Sequence, residues 1–129
     1  MAIKHYRELE VWNIAMDLVI EIYFVGKKLP ADERFGLIQQ IQRSAVSIPS
    51  NIAEGYGRIH RGDYIHHLSM SRGSLCELET QLILCGRLGY VTKTDARKAW
   101  GLCQSIGKML NTMLKALGAD QTREKNLTR

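Results

Sequence analysis

The chain has 129 residues, of which 45% are apolar, and its formal net charge is +5. A chain of this length fits one domain and can bury about two thirds of the surface that its unfolded form exposes. Two prolines and long stretches of good helix formers favour an all-α fold, and the positive charge permits a nucleic-acid partner without requiring one.

The first predicted helix is apolar on almost its whole circumference. Between Val11 and Val25 only Asn13, Asp17 and Glu21 are polar, and their spacing of four residues places them on one narrow strip. A bundle needs one apolar stripe per helix, so we predict that the surplus is covered by another subunit. We assign one series to the bundle core: Leu9, Trp12, Met16, Val19 and Tyr23. We assign the neighbouring series to the subunit contact: Val11, Ala15, Leu18, Ile22 and Val25. The run is shorter than the roughly 20 residues of a membrane-spanning helix.

Three further helices follow from apolar residues at alternating intervals of three and four. The second series runs from Ile38 to Gly55, the third from Tyr64 to Cys85 and the fourth from Ala96 to Leu117. Asp63 and Thr94 are the predicted N-caps of the third and fourth helices, and Gly89 and Gly118 are their predicted ends. Short connections between such helices predict an antiparallel up-down-up-down four-helix bundle in one domain, residues 1–118. Residues 119–129 are polar and aperiodic, which predicts a disordered tail.

Pro49 falls inside the second predicted helix. A proline there removes one backbone hydrogen bond and costs about 3 kcal/mol. One alternative is a break, with Asn51 as the N-cap of a new short helix. The apolar rhythm nevertheless passes from Ile48 to Ile52 without losing step, so we predict a continuous, kinked helix. Ser47, Ser50 and Asn51 are close enough to help satisfy the carbonyls that the proline leaves free.

The sequence around this proline, from Gln39 to Gly55, contains Ser-Ile-Pro-Ser-Asn-Ile-Ala-Glu-Gly. It resembles the signature of the bacterial 23S rRNA intervening-sequence proteins. The similarity continues in Leu9-Glu10-Val11-Trp12 and in the segment from Gly73 to Leu82. The resemblance implies a cytosolic four-helix bundle that assembles into five-fold rings, a homopentamer, without assigned catalytic residues. A related branch comprises accessory proteins of diversity-generating retroelements, which work with a reverse transcriptase and its RNA.

Basic residues form the cluster of greatest chemical interest. We select four arginines as candidate RNA contacts: Arg43, Arg58, Arg61 and Arg72. Tyr56 and Tyr64 flank the predicted connection that carries Arg58, and arginines beside aromatic rings can clamp phosphates and stack on unpaired bases. The alternative is a solvated loop with surface ion pairs, among them an i,i+4 pair between Glu54 and Arg58.

Enzymatic function is not indicated. The chain contains no Glu-x-x-His pair of the kind found in di-metal bundles, and Ser44, Ser47 and Ser50 have no histidine nearby in sequence to activate them. Three sparse cysteines are typical of reduced thiols in a cytoplasmic protein. We therefore expect no cofactor and no metal, and a non-enzymatic homo-oligomer that acts as an RNA-associated adaptor. The alternative is a structural or protein-binding ring without a nucleic-acid partner.

Overall fold

The structure is a computed structural model that describes residues 5–118. It contains four helices: α1 (Glu10–Gly26), α2 (Leu37–Tyr56), α3 (Arg61–Arg87) and α4 (Lys93–Ala116). Single 3-10 turns at Tyr6–Glu8 and Ala31–Glu33 precede α1 and α2. No strand occurs within these residues, which confirms the all-α prediction. The predicted tail, 119–129, lies outside the described residues.

Each helix packs against the two helices that neighbour it around the bundle. The end of α1 lies on the start of α2, where Gly26 meets Ile38 and Ile41. The end of α2 lies beside the start of α3, where the rings of Tyr56 and Tyr64 meet edge to face with centroids 5.9 Å apart. These contacts are consistent with the predicted up-down-up-down order. None of the helices within residues 5–118 combines the length and apolar character needed to span a membrane.

Two of the predicted helix starts are wrong by a few residues. The N-cap of α4 is Thr92, whose hydroxyl accepts from the Asp95 amide at 3.1 Å while the Asp95 carboxylate accepts from the Thr92 amide at 2.9 Å. This reciprocal capping box satisfies two backbone donors, whereas Thr94 could satisfy one. Asp63 lies in the first turn of α3, two residues inside its start. The predicted stops are supported: Gly89 and Gly118 have φ of +79° and +84°, a left-handed conformation that favours glycine.

The apolar series on α1 that the sequence prediction assigned to the subunit contact lies in the core, and the series assigned to the core is buried at Leu9 but exposed at Met16 and Tyr23. All five residues of the predicted interface series are at most 3% exposed and lie in the core of the protomer: Val11, Ala15, Leu18, Ile22 and Val25. In the predicted core series Met16 and Tyr23 are 39% and 46% exposed. The interface assignment of that series is therefore wrong. Aliphatic and small side chains let the helices approach closely, whereas the amphipathic rings of Trp12 and Tyr23 favour a half-exposed position.

Helix α2 continues through Pro49, which is buried. The prediction of a continuous helix is confirmed, and the alternative break at Asn51 is wrong. Ser50 Oγ donates to the Val46 carbonyl at 2.8 Å and Asn51 Nδ2 donates to the Ser47 carbonyl at 2.9 Å. The carbonyl that loses its donor is that of Ala45, four residues before the proline. The two side chains bond instead to the next two carbonyls of the same turn, so the prediction that they satisfy the freed carbonyl is wrong.

Candidate functional site

The residues that carry the family resemblance form a polar seam between α2 and α3. Ser44 Oγ donates to Gln81 Oε1 at 3.0 Å, and Ser71 Oγ donates to the Ile48 carbonyl at 2.9 Å. These three side chains are the buried polar ones among residues 5–118. All of them have partners, so the seam is satisfied within the protomer.

The seam continues to the end of α2. Asn51 Oδ1 lies 3.1 Å from His67 Nδ1, and the Ser47 and Ser74 hydroxyls are hydrogen-bonded to each other. At Gly55 the helices approach so closely that an added Cβ would lie 2.5 Å from the His67 Cβ. Ser44, Ser47, Asn51 and Gly55 of the signature therefore hold two helices together and do not form an open reactive site.

Arg58 is paired with an acid. Its Nη2 lies 2.9 Å from Glu54 Oε1, and both side chains are about half exposed, at 50% and 55%. The predicted i,i+4 pair is confirmed. An exposed pair of this kind contributes about 0.5 kcal/mol, and it neutralises much of the charge that Arg58 offers to a ligand.

Arg61 and Arg72 are held by neutral groups of α4. Arg61 donates to the Leu117 carbonyl at the end of α4, and Arg72 Nη1 donates to Asn111 Oδ1 at 3.1 Å. A carbonyl and an amide orient a guanidinium without neutralising it, and the remaining N–H donors can bind other acceptors. Both arginines are exposed. They are oriented cations at one lateral face of the bundle.

Two lysines that the sequence interpretation did not include share this face. Lys108 and Lys115 stand three residues before and four residues after Asn111, so the three lie on one side of α4. We call the exposed set of Arg61, Arg72, Lys108 and Lys115 the basic strip. In the sequence, the spacing of the two lysines from Asn111 shows only that the three residues share one side of α4. That this side also faces Arg72 is known only from the hydrogen bond that Arg72 donates from α3.

Arg43 does not join this set. It is exposed on α2, about 20 Å of helix rise before the end of that helix at Tyr56. The rings of Tyr56 and Tyr64, predicted to stand beside the arginines and stack on RNA bases, are partly buried against the core. Burial raises the pKa of the Tyr64 hydroxyl, with the neighbouring Tyr56 as a smaller cause. These rings close the end of the bundle and are not exposed for stacking.

Other reactive groups are dispersed or buried. Within residues 5–118 no three His, Cys, Asp or Glu side chains are placed to share a metal ion. Burial raises the pKa of the Cys103 thiol to about 12, with Glu79 as a smaller cause, and burial also raises the pKa of Cys85. Cys76 is exposed. A raised pKa keeps the two buried thiols protonated and unreactive at neutral pH.

Comparison with known proteins agrees with this architecture. No curated protein matches the chain. The crystal structure of a protein of unknown function from the S23 ribosomal protein family of Bacteroides thetaiotaomicron is similar, with 27% sequence identity and a TM-score of 0.75, over 81% of this chain and 98% of that one. The model of the 23S rRNA-intervening sequence protein family matches residues 7–112. The chain therefore belongs to the 23S rRNA-intervening sequence protein family.

Proposed function

We propose that this protein is a non-enzymatic, cytoplasmic accessory protein that binds RNA through the basic strip and acts as a homo-oligomeric ring of five copies. The observation that carries the RNA proposal is the arrangement of Arg61 and Arg72, whose charges are fixed in place by neutral partners. The family name refers to 23S rRNA intervening sequences, which is in keeping with an RNA partner. Three free cysteines suit a reducing compartment.

The basic strip suits a phosphate backbone better than a single small anion. Arg61 and Arg72 are separated by about 16 Å along α3, a span that accommodates several phosphates. Their side chains are already ordered by α4, so binding costs less side-chain entropy than it would for free arginines. Lys108 and Lys115 add two point charges beside them.

A ring would multiply these contacts. A single strip of four cations gives weak, salt-sensitive binding, whereas identical strips repeated by symmetry raise the overall affinity through effective concentration. A small basic bundle therefore gains most as an RNA-binding protein when it is oligomeric.

The experiment is the salt dependence of RNA affinity. We expect the protein to bind a single-stranded RNA at low salt, with an affinity that falls steeply as salt rises because counterions are released from the phosphates. In the double variant Lys108→Ala/Lys115→Ala, the slope of log K against log[salt] should become shallower by about 0.7 for each phosphate that is no longer neutralised. These lysines are preferable to the arginines for this test because removing them breaks no hydrogen bond between α3 and α4.

Arg43→Ala is the control for each single change, Lys108→Ala and Lys115→Ala, since it likewise removes one exposed cation but from a different part of the surface. It should leave the slope unchanged. Absence of RNA binding at low salt, or equal slopes for the wild type and the lysine variant, would refute the proposal.

A structural or protein-binding ring without nucleic acid is the second candidate. It is favoured by the apolar side chains exposed on α1, among them Ile20 at 56% and Phe24 at 54%. An oligomer that fails to bind RNA at any salt concentration would support this candidate over the first.

A further inference from the structure

The outer face of α1 is apolar and exposed. Four large side chains on it are 39–56% exposed, and we call them the α1 stripe: Met16, Ile20, Tyr23 and Phe24. Asp17 is exposed beside the stripe, and α1 carries three acids, Glu10, Asp17 and Glu21, but no basic residue. Glu21 is mostly buried and is paired within the protomer, since Lys98 Nζ on α4 lies 3.8 Å from its Oε2. Just beyond the helix end, the ammonium of Lys27 lies 5.4 Å from the centroid of the Phe24 ring.

A second apolar surface lies elsewhere on the same protomer, between the end of α3 and the start of α4. It is a groove of about 660 Å³ with an apolar floor that includes Leu82, Ile83, Val91 and Trp100. Ile83 and Trp100 are 46% and 37% exposed. Three cations line the same groove: Arg87, Lys93 and Arg97. We call it the α3–α4 groove.

We propose that the α1 stripe of one copy docks into the α3–α4 groove of the next copy. This inference rests on the homo-oligomer of the proposed function and names its two contact surfaces. It replaces the buried series that the sequence favoured with side chains that the fold leaves outside.

Charge favours this arrangement over the symmetric ones. Two grooves facing each other would oppose two sets of three cations, and two α1 stripes facing each other would leave those cations without an acidic partner. Like charges at an interface oppose association. Stripe against groove instead places the exposed Asp17 beside a basic rim, and apolar side chains meet in the centre.

The dimensions are also compatible. From Met16 to Phe24 the stripe spans about 12 Å, and the groove from Lys93 to Trp100 spans about 10 Å of α4. Each surface is therefore about two helical turns long. Because the two surfaces are different, the contact is head to tail, and repeated head-to-tail contacts generate a closed ring or an open filament.

The test combines two variants that each lose one surface. Ile20→Glu/Phe24→Glu disables the stripe and leaves the groove intact, whereas Ile83→Glu/Trp100→Glu disables the groove and leaves the stripe intact. The control is Ile59→Glu, which places the same charge at a side chain that is 95% exposed in the connection between α2 and α3. Sedimentation velocity measures assembly, and circular dichroism checks that each variant is folded.

We expect the wild type and the control to assemble at micromolar concentration, and each surface variant alone to be monomeric. For each surface variant the concentration required for assembly should rise at least about tenfold. An equimolar mixture of the two surface variants should form a complex of two chains and nothing larger, because it contains one intact stripe facing one intact groove.

Each result has a defined reading. A monomeric wild type refutes the docking and the oligomer together. If the wild type and the surface variants all assemble, the docking is refuted but the oligomer is not. If the wild type assembles but the mixture forms no complex of two chains, the docking is likewise refuted and the oligomer is not. If a surface variant fails to fold, the exposed single change Asp17→Arg takes its place, and unchanged assembly of that variant overturns the docking.

Discussion

Replacing Gly55 by alanine tests whether close contact between α2 and α3 is the role of the glycine in the signature. An added Cβ would lie 2.5 Å from the His67 Cβ and 3.2 Å from Tyr64 Cδ1. The His67 Cβ is bonded directly to the α3 backbone, so a rotamer change cannot relieve the overlap and the helices must move apart. Overpacking of this kind costs about 1–3 kcal/mol.

Helix propensity acts in the opposite direction. Alanine is favoured over glycine inside a helix by about 1 kcal/mol, but Gly55 stands one residue before the end of α2, where only part of that gain applies. We therefore expect Gly55→Ala to lower the free energy of unfolding by about 1–2 kcal/mol. For a domain of this size, that corresponds to a Tm lower by roughly 4–8 °C.

Urea unfolding at one fixed protein concentration measures the change. Gly73→Ala is the matched control, because it lies in the interior of α3 with no atom within 4 Å of the added Cβ, and it should raise stability by up to about 1 kcal/mol. If Gly55→Ala is as stable as the wild type, or shifts in the same direction as the control, the close-contact argument fails.

Three further predictions concern the seam, the α4 cap and the thiols. Ser44→Ala leaves the buried Gln81 oxygen without its donor and should cost about 1–3 kcal/mol in urea unfolding, and the double variant with Gln81→Leu should recover part of this stability; additive effects would contradict the coupling. Thr92→Ala should cost about 1 kcal/mol at neutral pH. The backbone N–H of Thr92, and secondarily its side chain, lowers the pKa of Asp95, so the stabilisation from the Asp95 carboxylate is present above the usual aspartate range and is lost as the pH falls through the lowered pKa. Because alanine keeps this N–H, Asp95→Asn measures the pH-dependent part, and a difference between wild type and Asp95→Asn that stays constant into strong acid would contradict the role of the carboxylate in the capping box. A thiol reagent at neutral pH should modify one cysteine per folded chain, Cys76, and all three after denaturation, while rapid labelling of two in the folded protein would show that a buried thiol is accessible.

The contacts of the candidate site were only partly predictable from the sequence. The i,i+4 pair of Glu54 and Arg58 was predictable because both residues stand on one helix with a fixed geometry. The partners of Arg61 and Arg72 were not, because Leu117 and Asn111 are 56 and 39 residues away in the chain. For the same reason Lys108 and Lys115 gained meaning only once α4 was placed beside α3.

The number of helices, the glycine stops and the continuity of α2 through Pro49 could all be predicted from the order of residues. These depend on local spacing and on backbone conformations, both of which neighbouring residues set. Which apolar series of α1 faces inward could be established only from the packing of the four helices. Two stripes of equal period fit the same helix, and the choice between them follows from the shapes of side chains on three other helices. The choice also placed Ile20 and Phe24, and not Leu18 and Ile22, on the surface available to a second copy.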